Sequence, residues 1–93
     1  MIYILQFARP VGGRANYYIG YAQNETTYFR RMKDHSKGRG AKLTAAALAQ
    51  GISWKCIVIV PQATRADERR WKNWHNAAEV VRALTNKGYG PWL

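Results

Sequence analysis

The chain has 93 residues, of which 47% are hydrophobic, so it is long enough for one compact domain with a modest core and too short for two. Fifteen lysines and arginines against five acidic residues give a net charge of +10, which favours a polyanionic partner, nucleic acid above all. No apolar run approaches the ~20 residues that span a bilayer, and there is no dense terminal block of basic residues, so a membrane partner is not expected.

Two features bear on the cellular compartment. The N-terminal MIYILQF lacks the charged region and the small-residue cleavage site of a signal peptide, so we expect the mature protein to begin there. The single cysteine, Cys56, lies in the apolar run ISWKCIVIV and has no partner for an intrachain disulfide. It is interpreted as a small buried hydrophobe in a reducing, cytoplasmic environment.

The first two predicted elements are strands joined in a hairpin. Residues 2–7 (IYILQF) and 15–22 (ANYYIGYA) are short and rich in β-branched and aromatic side chains. The segment between them contains Pro10, Gly12 and Gly13, which is typical of a turn.

Strand alternation in the second element separates its two adjacent tyrosines. Tyr18 shares a face with Gly20, and Tyr17 lies on the opposite face. Tyrosines in strands usually serve cross-strand packing and carry no functional implication by themselves. A glycine inside a strand is more informative, because it weakens the strand and often marks close approach by a backbone or a ligand.

Two helices are predicted next. The segment NETTYFRRMKDHSKGRG indicates a helix of about ten residues that is capped by Asn24 or Thr26 and ends at Gly38. The segment TAAALAQG indicates a second, short helix that ends near Gly51.

A third strand and a last helix complete the chain. Residues 52–60 (ISWKCIVIV) form the strongest predicted strand, which Pro61 closes, and Thr64 with Asp67 resembles a capping box. The final NKGYGPWL is interpreted as a loop. Four residues of the last helix are spaced for one apolar face: Trp71, Trp74, Ala78 and Val81.

This order, ββα(α)βα, predicts a single α+β domain over residues 1–93, with helices flanking a small central, mainly antiparallel three-stranded sheet.

The first helix carries one candidate pair for phosphate chemistry. Arg31 and His35 are four residues apart and share a side of the helix with Tyr28. A guanidinium can hold a phosphate as a bidentate donor, and an imidazole can act as a donor or a proton carrier. On spacing alone, however, such a pair is more often a solvated helix face.

Glu68 is the most informative of the five carboxylates. It lies three residues before Trp71, beside the apolar stripe of the last helix, and should face the sheet. A buried lone carboxylate is costly without a partner. Either a divalent cation such as Mg²⁺ or an intrahelical pair with Lys72 would supply one, and the spacing does not choose between them.

These residues occur in the order shown by the GIY-YIG nuclease family, which the sequence resembles from Ile2 to about Lys72. Each motif is short, but five in order, in matching predicted elements, are far more specific than any one. The resemblance is greatest to small stand-alone members with a GKGAK-like segment, here residues 38–42. The matching residues are IYI (2–4), YIG (18–20), Arg31, His35 and Glu68.

The sequence departs from the family pattern at three points. Met1 stands where the family has its first glycine, and the separation from Tyr3 to Tyr18 is longer than usual. Many members also use an asparagine after the glutamate, but neither Asn76 nor Asn86 matches its usual position.

The resemblance implies hydrolysis of phosphodiester bonds in DNA with one divalent metal, Mg²⁺ or alternatively Mn²⁺, held by Glu68. It implies that Tyr3 deprotonates water while Tyr18 and His35 orient water and phosphate. Arg31 would offset the negative charge that develops on the phosphoryl group. Because a tyrosine with a pKa near ~10 is a poor base at neutral pH, Arg31 and the metal would have to lower that pKa.

Further residues are expected at the substrate. Gly20 would leave room for the substrate backbone, and Tyr17 replaces Tyr18 as the active tyrosine if the strand register slips. Basic side chains on both sides of the site would track the DNA backbone in a salt-sensitive and largely sequence-independent way. These are Arg39, Lys42, Arg65, Arg69, Arg70 and Lys72.

We therefore expect a DNA endonuclease that is structure-directed or weakly sequence-specific, with a protein partner as one possible source of target choice. Two alternatives stay open: a nucleic-acid-binding module that keeps the fold without cutting, and an interaction subunit whose basic surface docks an acidic protein. The intact set of five site residues argues against the first alternative. DNA binding that weakens steeply with salt would argue against the second.

Overall fold

The computed structural model describes residues 1–73 and 76–91. In that part of the chain it contains three strands and four helices, which confirms the predicted α+β class. In chain order they are β1 (Ile2–Val11), β2 (Ala15–Tyr21), α1 (Glu25–Ser36), α2 (Lys42–Ala49), β3 (Trp54–Val60), α3 (Arg65–Asn73) and α4 (Ala77–Asn86).

The sheet is antiparallel throughout, with strand order β2-β1-β3, so β1 is the central strand. Gly12 and Gly13 form the turn between β1 and β2 with φ angles of 61° and 75°, a backbone region that glycine enters at little steric cost. The predicted hairpin is therefore confirmed, although β1 extends to Val11 rather than ending near residue 7.

Alternation along β1 divides the core between the two faces of the sheet. Ile2 and Ile4 pack on one face against Val80 and Leu84 of α4. Tyr3 and Leu5 point to the other face, where Tyr28 of α1 covers them. Each aliphatic side chain buried in this way stabilises the fold by roughly 1.5–3 kcal/mol.

The predicted helix starts are confirmed by their capping hydrogen bonds. The side chain of Asn24, rather than Thr26, caps α1 by accepting from the Thr27 backbone N–H at 2.9 Å. At α3 the capping box is reciprocal: Thr64 N–H donates to Asp67 Oδ2 at 2.9 Å, and Asp67 N–H donates to Thr64 Oγ1 at 3.2 Å.

The sequence predicts a single last helix, and this prediction is wrong, because two helices, α3 and α4, occupy that part of the chain. α3 ends at Asn73, and α4 begins after Asn76, whose side chain accepts from the Glu79 backbone N–H at 3.3 Å. An asparagine that caps a new helix competes with continuation of the previous one. Trp71 and Val81 pack against the core residues on the same face of the sheet as Ile2 and Ile4, whereas Ala78 is exposed. Trp74 lies outside the described residues.

The C-terminal segment is a loop over residues 87–91, as predicted. The one difference is Asn86, the first residue of the predicted loop, which still belongs to α4. Beyond the helix, the Gly90 carbonyl accepts a hydrogen bond from the Ile59 backbone N–H at 2.9 Å, so this segment lies against β3. Among the described residues, no helix combines the length and apolar character needed to cross a bilayer.

Candidate active site

Two tyrosines meet on the face of the sheet that α1 covers. In the register of β1 and β2, Tyr3 lies opposite Gly20 and Leu5 lies opposite Tyr18. Tyr3 is fully buried, Tyr18 is half-buried, and their ring centroids are 6.2 Å apart. Tyr17 packs on the opposite face, as strand alternation predicts.

Gly20 makes room for Tyr3. A Cβ at position 20 would overlap the ring and hydroxyl of Tyr3. The sequence predicts the substrate backbone in this space, but the Tyr3 ring of the protein itself fills it. The missing side chain is therefore explained by the packing of β1 against β2.

His35 lies at the centre of a buried hydrogen-bonded chain. Its Nε2 is 2.8 Å from the Tyr3 hydroxyl, and its Nδ1 is 2.9 Å from Thr44 Oγ1. Thr44 in turn donates to the Ala41 carbonyl at 3.2 Å. The Tyr18 ring meets the imidazole edge-on, with 5.2 Å between centroids. Because His35 is fully buried, the interpretation of this helix side as a solvated face is wrong.

Thr44 also contacts the candidate site, which the sequence does not predict. It lies in the first turn of α2, nine residues after His35, and its hydroxyl is buried with the imidazole. The signal in the sequence is its position two residues after the GKGAK-like segment, residues 38–42.

The electrostatic environment keeps the proton on Tyr3. Burial raises the pKa of Tyr3 well above its ordinary value, and neighbouring Tyr18 raises it further. The Arg31 guanidinium beside the hydroxyl lowers the pKa, as predicted, but burial outweighs it. Arg31 alone therefore does not bring the pKa of Tyr3 below its ordinary value, and the additional lowering expected from a bound metal stays a prediction.

The same burial keeps His35 neutral. It lowers the pKa of His35 below its ordinary value, Arg31 lowers it further, and Asp34 acts in the opposite direction. At neutral pH the pair thus consists of a protonated phenol and an uncharged imidazole, and the half-buried Arg31 is the charged group beside them.

Glu68 lies on α3, which packs beside β2. Its side chain is only 17% exposed, which agrees with the prediction that it faces inward. Lys72 Nζ is 3.3 Å from Glu68 Oε2, so the intrahelical pair exists. The same ammonium lies 5.3 Å from the centroid of the Tyr18 ring, a cation–π contact that connects α3 to the tyrosine pair.

The donor set around Glu68 is compatible with a hard cation. Within residues 1–73 and 76–91, no group of three or more His, Cys, Asp or Glu side chains comes together. Mg²⁺ does not need such a group, because it usually retains several waters and binds one or two carboxylates plus substrate phosphate. A single, mostly buried carboxylate beside the tyrosine pair fits that kind of site.

A shallow cleft of about 200 Å³ opens next to these groups. Its lining residues come from β2, α2, α3 and α4: Tyr17, Tyr18, Ile19, Leu43, Trp71, Lys72 and Ala77. The cleft is therefore flanked by α2 and α3, whose first residues, Lys42 and Arg65, are two of the predicted substrate-binding cations.

The six predicted substrate-binding cations are all exposed, but three have partners within the protein. Arg70 pairs with Asp67 at 2.7 Å, and the Arg65 guanidinium lies 4.9 Å from the centroid of the Tyr21 ring. Lys72 pairs with Glu68 as described. The others are Arg39 in the connection between α1 and α2, Lys42 at the start of α2, and Arg69 on α3.

Comparison with known protein families yields one match. The family model described as GIY-YIG catalytic domain matches residues 1–82, a range that contains every residue of the site from Tyr3 to Lys72. No curated protein and no solved structure matches the chain significantly.

Proposed function

Since the chain belongs to the GIY-YIG family of nucleases, we propose that it is an endonuclease that hydrolyses phosphodiester bonds in DNA with a divalent cation, Mg²⁺ or Mn²⁺. The whole chain, residues 1–93, acts as one nuclease domain. A buried hydrogen bond of 2.8 Å between Tyr3 and His35 is the observation that carries the proposal. Burying a phenol and an imidazole beside a half-buried guanidinium is costly, and a surface that only binds DNA does not need this arrangement.

Tyr3 and His35 together accept a proton from the attacking water. Tyr3 has a raised pKa, so its hydroxyl can take a proton only if it releases its own. His35 Nε2, at 2.8 Å, is the group that can take that proton. The attacking water loses a proton to the Tyr3 oxygen, the Tyr3 proton moves to the imidazole, and Tyr3 ends the step as a neutral phenol.

Arg31 and Tyr18 act on the phosphate. Arg31 remains charged at any physiological pH and stabilises the negative charge that grows on the phosphoryl oxygens. Tyr18 is half-buried and lines the cleft, so its hydroxyl can orient the phosphate or the water.

Glu68 is the residue that would hold the divalent cation. When bound, the cation polarises the scissile phosphate and stabilises the leaving oxygen. Lys72 neutralises the carboxylate in the cation-free protein through Oε2, and a cation held by Glu68 would take over this role and leave the ammonium available for a phosphate.

Substrate affinity comes from the exposed cations around the cleft. Phosphate contacts position a nucleic acid but carry no sequence information, so cleavage is structure-directed or weakly sequence-specific. A protein partner can add target choice. We propose a cytoplasmic location on the basis of the composition and the lone cysteine.

The test is cleavage of supercoiled plasmid by purified protein with Mg²⁺, Mn²⁺ or EDTA, beside a Glu68→Gln variant. The matched control is Glu79→Gln, which removes the same charge from an exposed position on α4. We expect metal-dependent nicking, retained by the control and reduced about 100-fold or more by Glu68→Gln, because cation binding is worth several kcal/mol of barrier.

Other results would overturn the proposal in distinguishable ways. Equal activity in wild type and Glu68→Gln would exclude Glu68 as the metal ligand. Absence of cleavage on plasmid, branched and flapped DNA, with DNA binding retained, would favour the binding module. Cleavage of RNA alone would change the substrate. Absence of salt-sensitive DNA binding would favour the subunit that docks an acidic protein.

A further inference from the structure

We propose that Thr44 is a positioning residue that fixes the tautomer of His35, so that the imidazole presents an unprotonated Nε2 to Tyr3. The contacts are a distance of 2.9 Å from Thr44 Oγ1 to His35 Nδ1 and one of 2.8 Å from His35 Nε2 to the Tyr3 hydroxyl. The tautomer is inferred from the hydrogen bonds of this chain alone. Its consequence for cleavage rests on the proposed nuclease function.

The direction of the chain is set at one end by Ala41. The Thr44 hydroxyl has one proton, and the Ala41 carbonyl, 3.2 Å away, can only accept. When the hydroxyl donates to this carbonyl, its lone pairs are left to accept from His35. Nδ1 must then carry the proton of the neutral imidazole.

The other end of the chain agrees with this direction. Arg31 lowers the pKa of the Tyr3 hydroxyl, and a guanidinium can only donate, so it offers no acceptor for the Tyr3 proton. His35 Nε2, 2.8 Å from the hydroxyl, is an acceptor once Nδ1 carries the imidazole proton. The acceptor-only Ala41 carbonyl thus orients the bonds from Thr44 through His35 to Tyr3.

The segment before α2 is shaped around this imidazole. A Cβ at Gly40 would overlap the His35 ring, so only glycine fits there without a shift. Ala41 follows in extended conformation, with φ of −159° and ψ of 158°, and Thr44 bonds back to it. Residues 40–44 thus pack around and hydrogen-bond to His35. The GKGAK-like segment therefore helps to position the imidazole in addition to contributing positive charge.

The opposite tautomer would block the proton transfer. With a proton on Nε2, the imidazole would donate to the Tyr3 oxygen and could not accept its proton. A wrong histidine tautomer in an otherwise intact site is known to abolish most of the catalysis in hydrolases with a histidine base.

The test begins with a measurement that needs no substrate. Long-range ¹⁵N–¹H correlation spectra of the imidazoles in uniformly labelled protein report which ring nitrogen carries the proton. The chain has two histidines, so the His35 signals are identified by their loss in His35→Gln. We expect the Nδ1–H form in the wild type at pH 7.5. The Nε2–H form in the wild type would overturn the proposal without any variant.

Thr44→Val and Thr44→Ser then test the hydroxyl itself. Valine has nearly the shape of threonine but neither donates nor accepts, so we expect a shift toward the Nε2–H form and a loss of cleavage of about 10- to 100-fold, as for other groups that orient a histidine ligand or base. Serine restores the hydroxyl and should restore both. The matched control is Thr85→Val. Thr85 lies at an exposed position of α4, and its hydroxyl donates to the Val81 carbonyl at 2.7 Å.

The outcomes separate this inference from the nuclease proposal. If Thr44→Val keeps the Nδ1–H form and full activity, Thr44 does not position His35. If Thr44→Val does not fold, the wild-type tautomer and the rescue by serine still decide. If the tautomer shifts as expected but no variant, including wild type, cleaves nucleic acid, the assignment of Thr44 stands and the nuclease proposal fails.

Discussion

Tyr3 and Gly20 lie opposite each other in the register of β1 and β2, and the Tyr3 ring occupies the space that a side chain at position 20 would need. Gly20→Ala must therefore displace the buried ring. We expect a loss of unfolding free energy of about 1–3 kcal/mol, typical of overpacking, and a larger relative loss of cleavage because the Tyr3 hydroxyl moves away from His35.

Urea unfolding followed by circular dichroism measures the stability of Gly20→Ala. Gly90→Ala is the control, because a Cβ there would have no neighbour within 4 Å. A stability within about 0.5 kcal/mol of wild type for Gly20→Ala would show that the ring has room to move.

Tyr3→Phe removes one oxygen from the centre of the site. It leaves His35 Nε2 without its partner at 2.8 Å, so we expect a modest destabilisation of about 1 kcal/mol. Cleavage should fall by about 10²- to 10⁴-fold, the usual contribution of an acid–base group.

Tyr89→Phe is the matched variant for Tyr3→Phe, because Tyr89 packs against the core on the opposite face of the sheet. It should cleave at the wild-type rate in a single-turnover plasmid assay. Wild-type activity in Tyr3→Phe, or inactivity in Tyr89→Phe, would contradict the assignment of the active tyrosine.

Protein stability should fall as the pH is lowered through the range in which histidine titrates. Burial lowers the pKa of His35 in the folded state below its ordinary value of 6.5, so the unfolded chain binds the proton more readily. The resulting stabilisation is fully present above pH 6.5 and is lost as the pH falls from there toward the folded pKa.

Thermal melts at pH 7.5 and pH 5.0 measure this effect. The wild type should melt at a lower temperature at pH 5.0, and the difference should shrink in His35→Gln but persist in His75→Gln. An equal difference in His35→Gln would assign the pH dependence to other groups.

Lys72 should contribute to DNA binding more than its exposure alone suggests. Its ammonium is close to both Glu68 and the Tyr18 ring, so a phosphate in the cleft would meet it directly. Lys72→Gln should weaken binding and reduce the slope of log K against log salt concentration by about 1.

The control for Lys72→Gln is Lys87→Gln, which removes the same charge just after α4. Fluorescence anisotropy of a labelled duplex in EDTA, with both changes made in a Glu68→Gln background, measures binding without cleavage and with Lys72 released from its carboxylate partner. Equal effects of the two variants would mean that only net charge matters.

Local rules predicted much of the scaffold. Alternation placed Tyr18 and Gly20 on one face and Tyr17 on the other, and the glycine turn joined the strands as expected. The caps at Asn24 and Thr64 involve contacts of three residues' separation, which a sequence displays directly. Such features follow from chain geometry over a few residues.

The remaining features depend on contacts between distant parts of the chain or on competition between opposing effects. The hydrogen bond between His35 and Thr44 connects α1 to α2, and no periodicity in the sequence indicates it. The break at Asn76 interrupts a pattern that fits one helix equally well. The pKa of Tyr3 depends on whether burial or Arg31 dominates, and burial can be known only from the packed structure.

The central position of β1 links the site to the most protected part of the molecule. Tyr3 lies on a strand with a ladder on each side, one to β2 and one to β3. Its amide proton can exchange with solvent only when one of these ladders opens, which in a small sheet approaches complete unfolding. Conditions that fray the chain ends should therefore leave the tyrosine in place, and loss of activity on heating should coincide with the cooperative loss of the whole sheet rather than precede it.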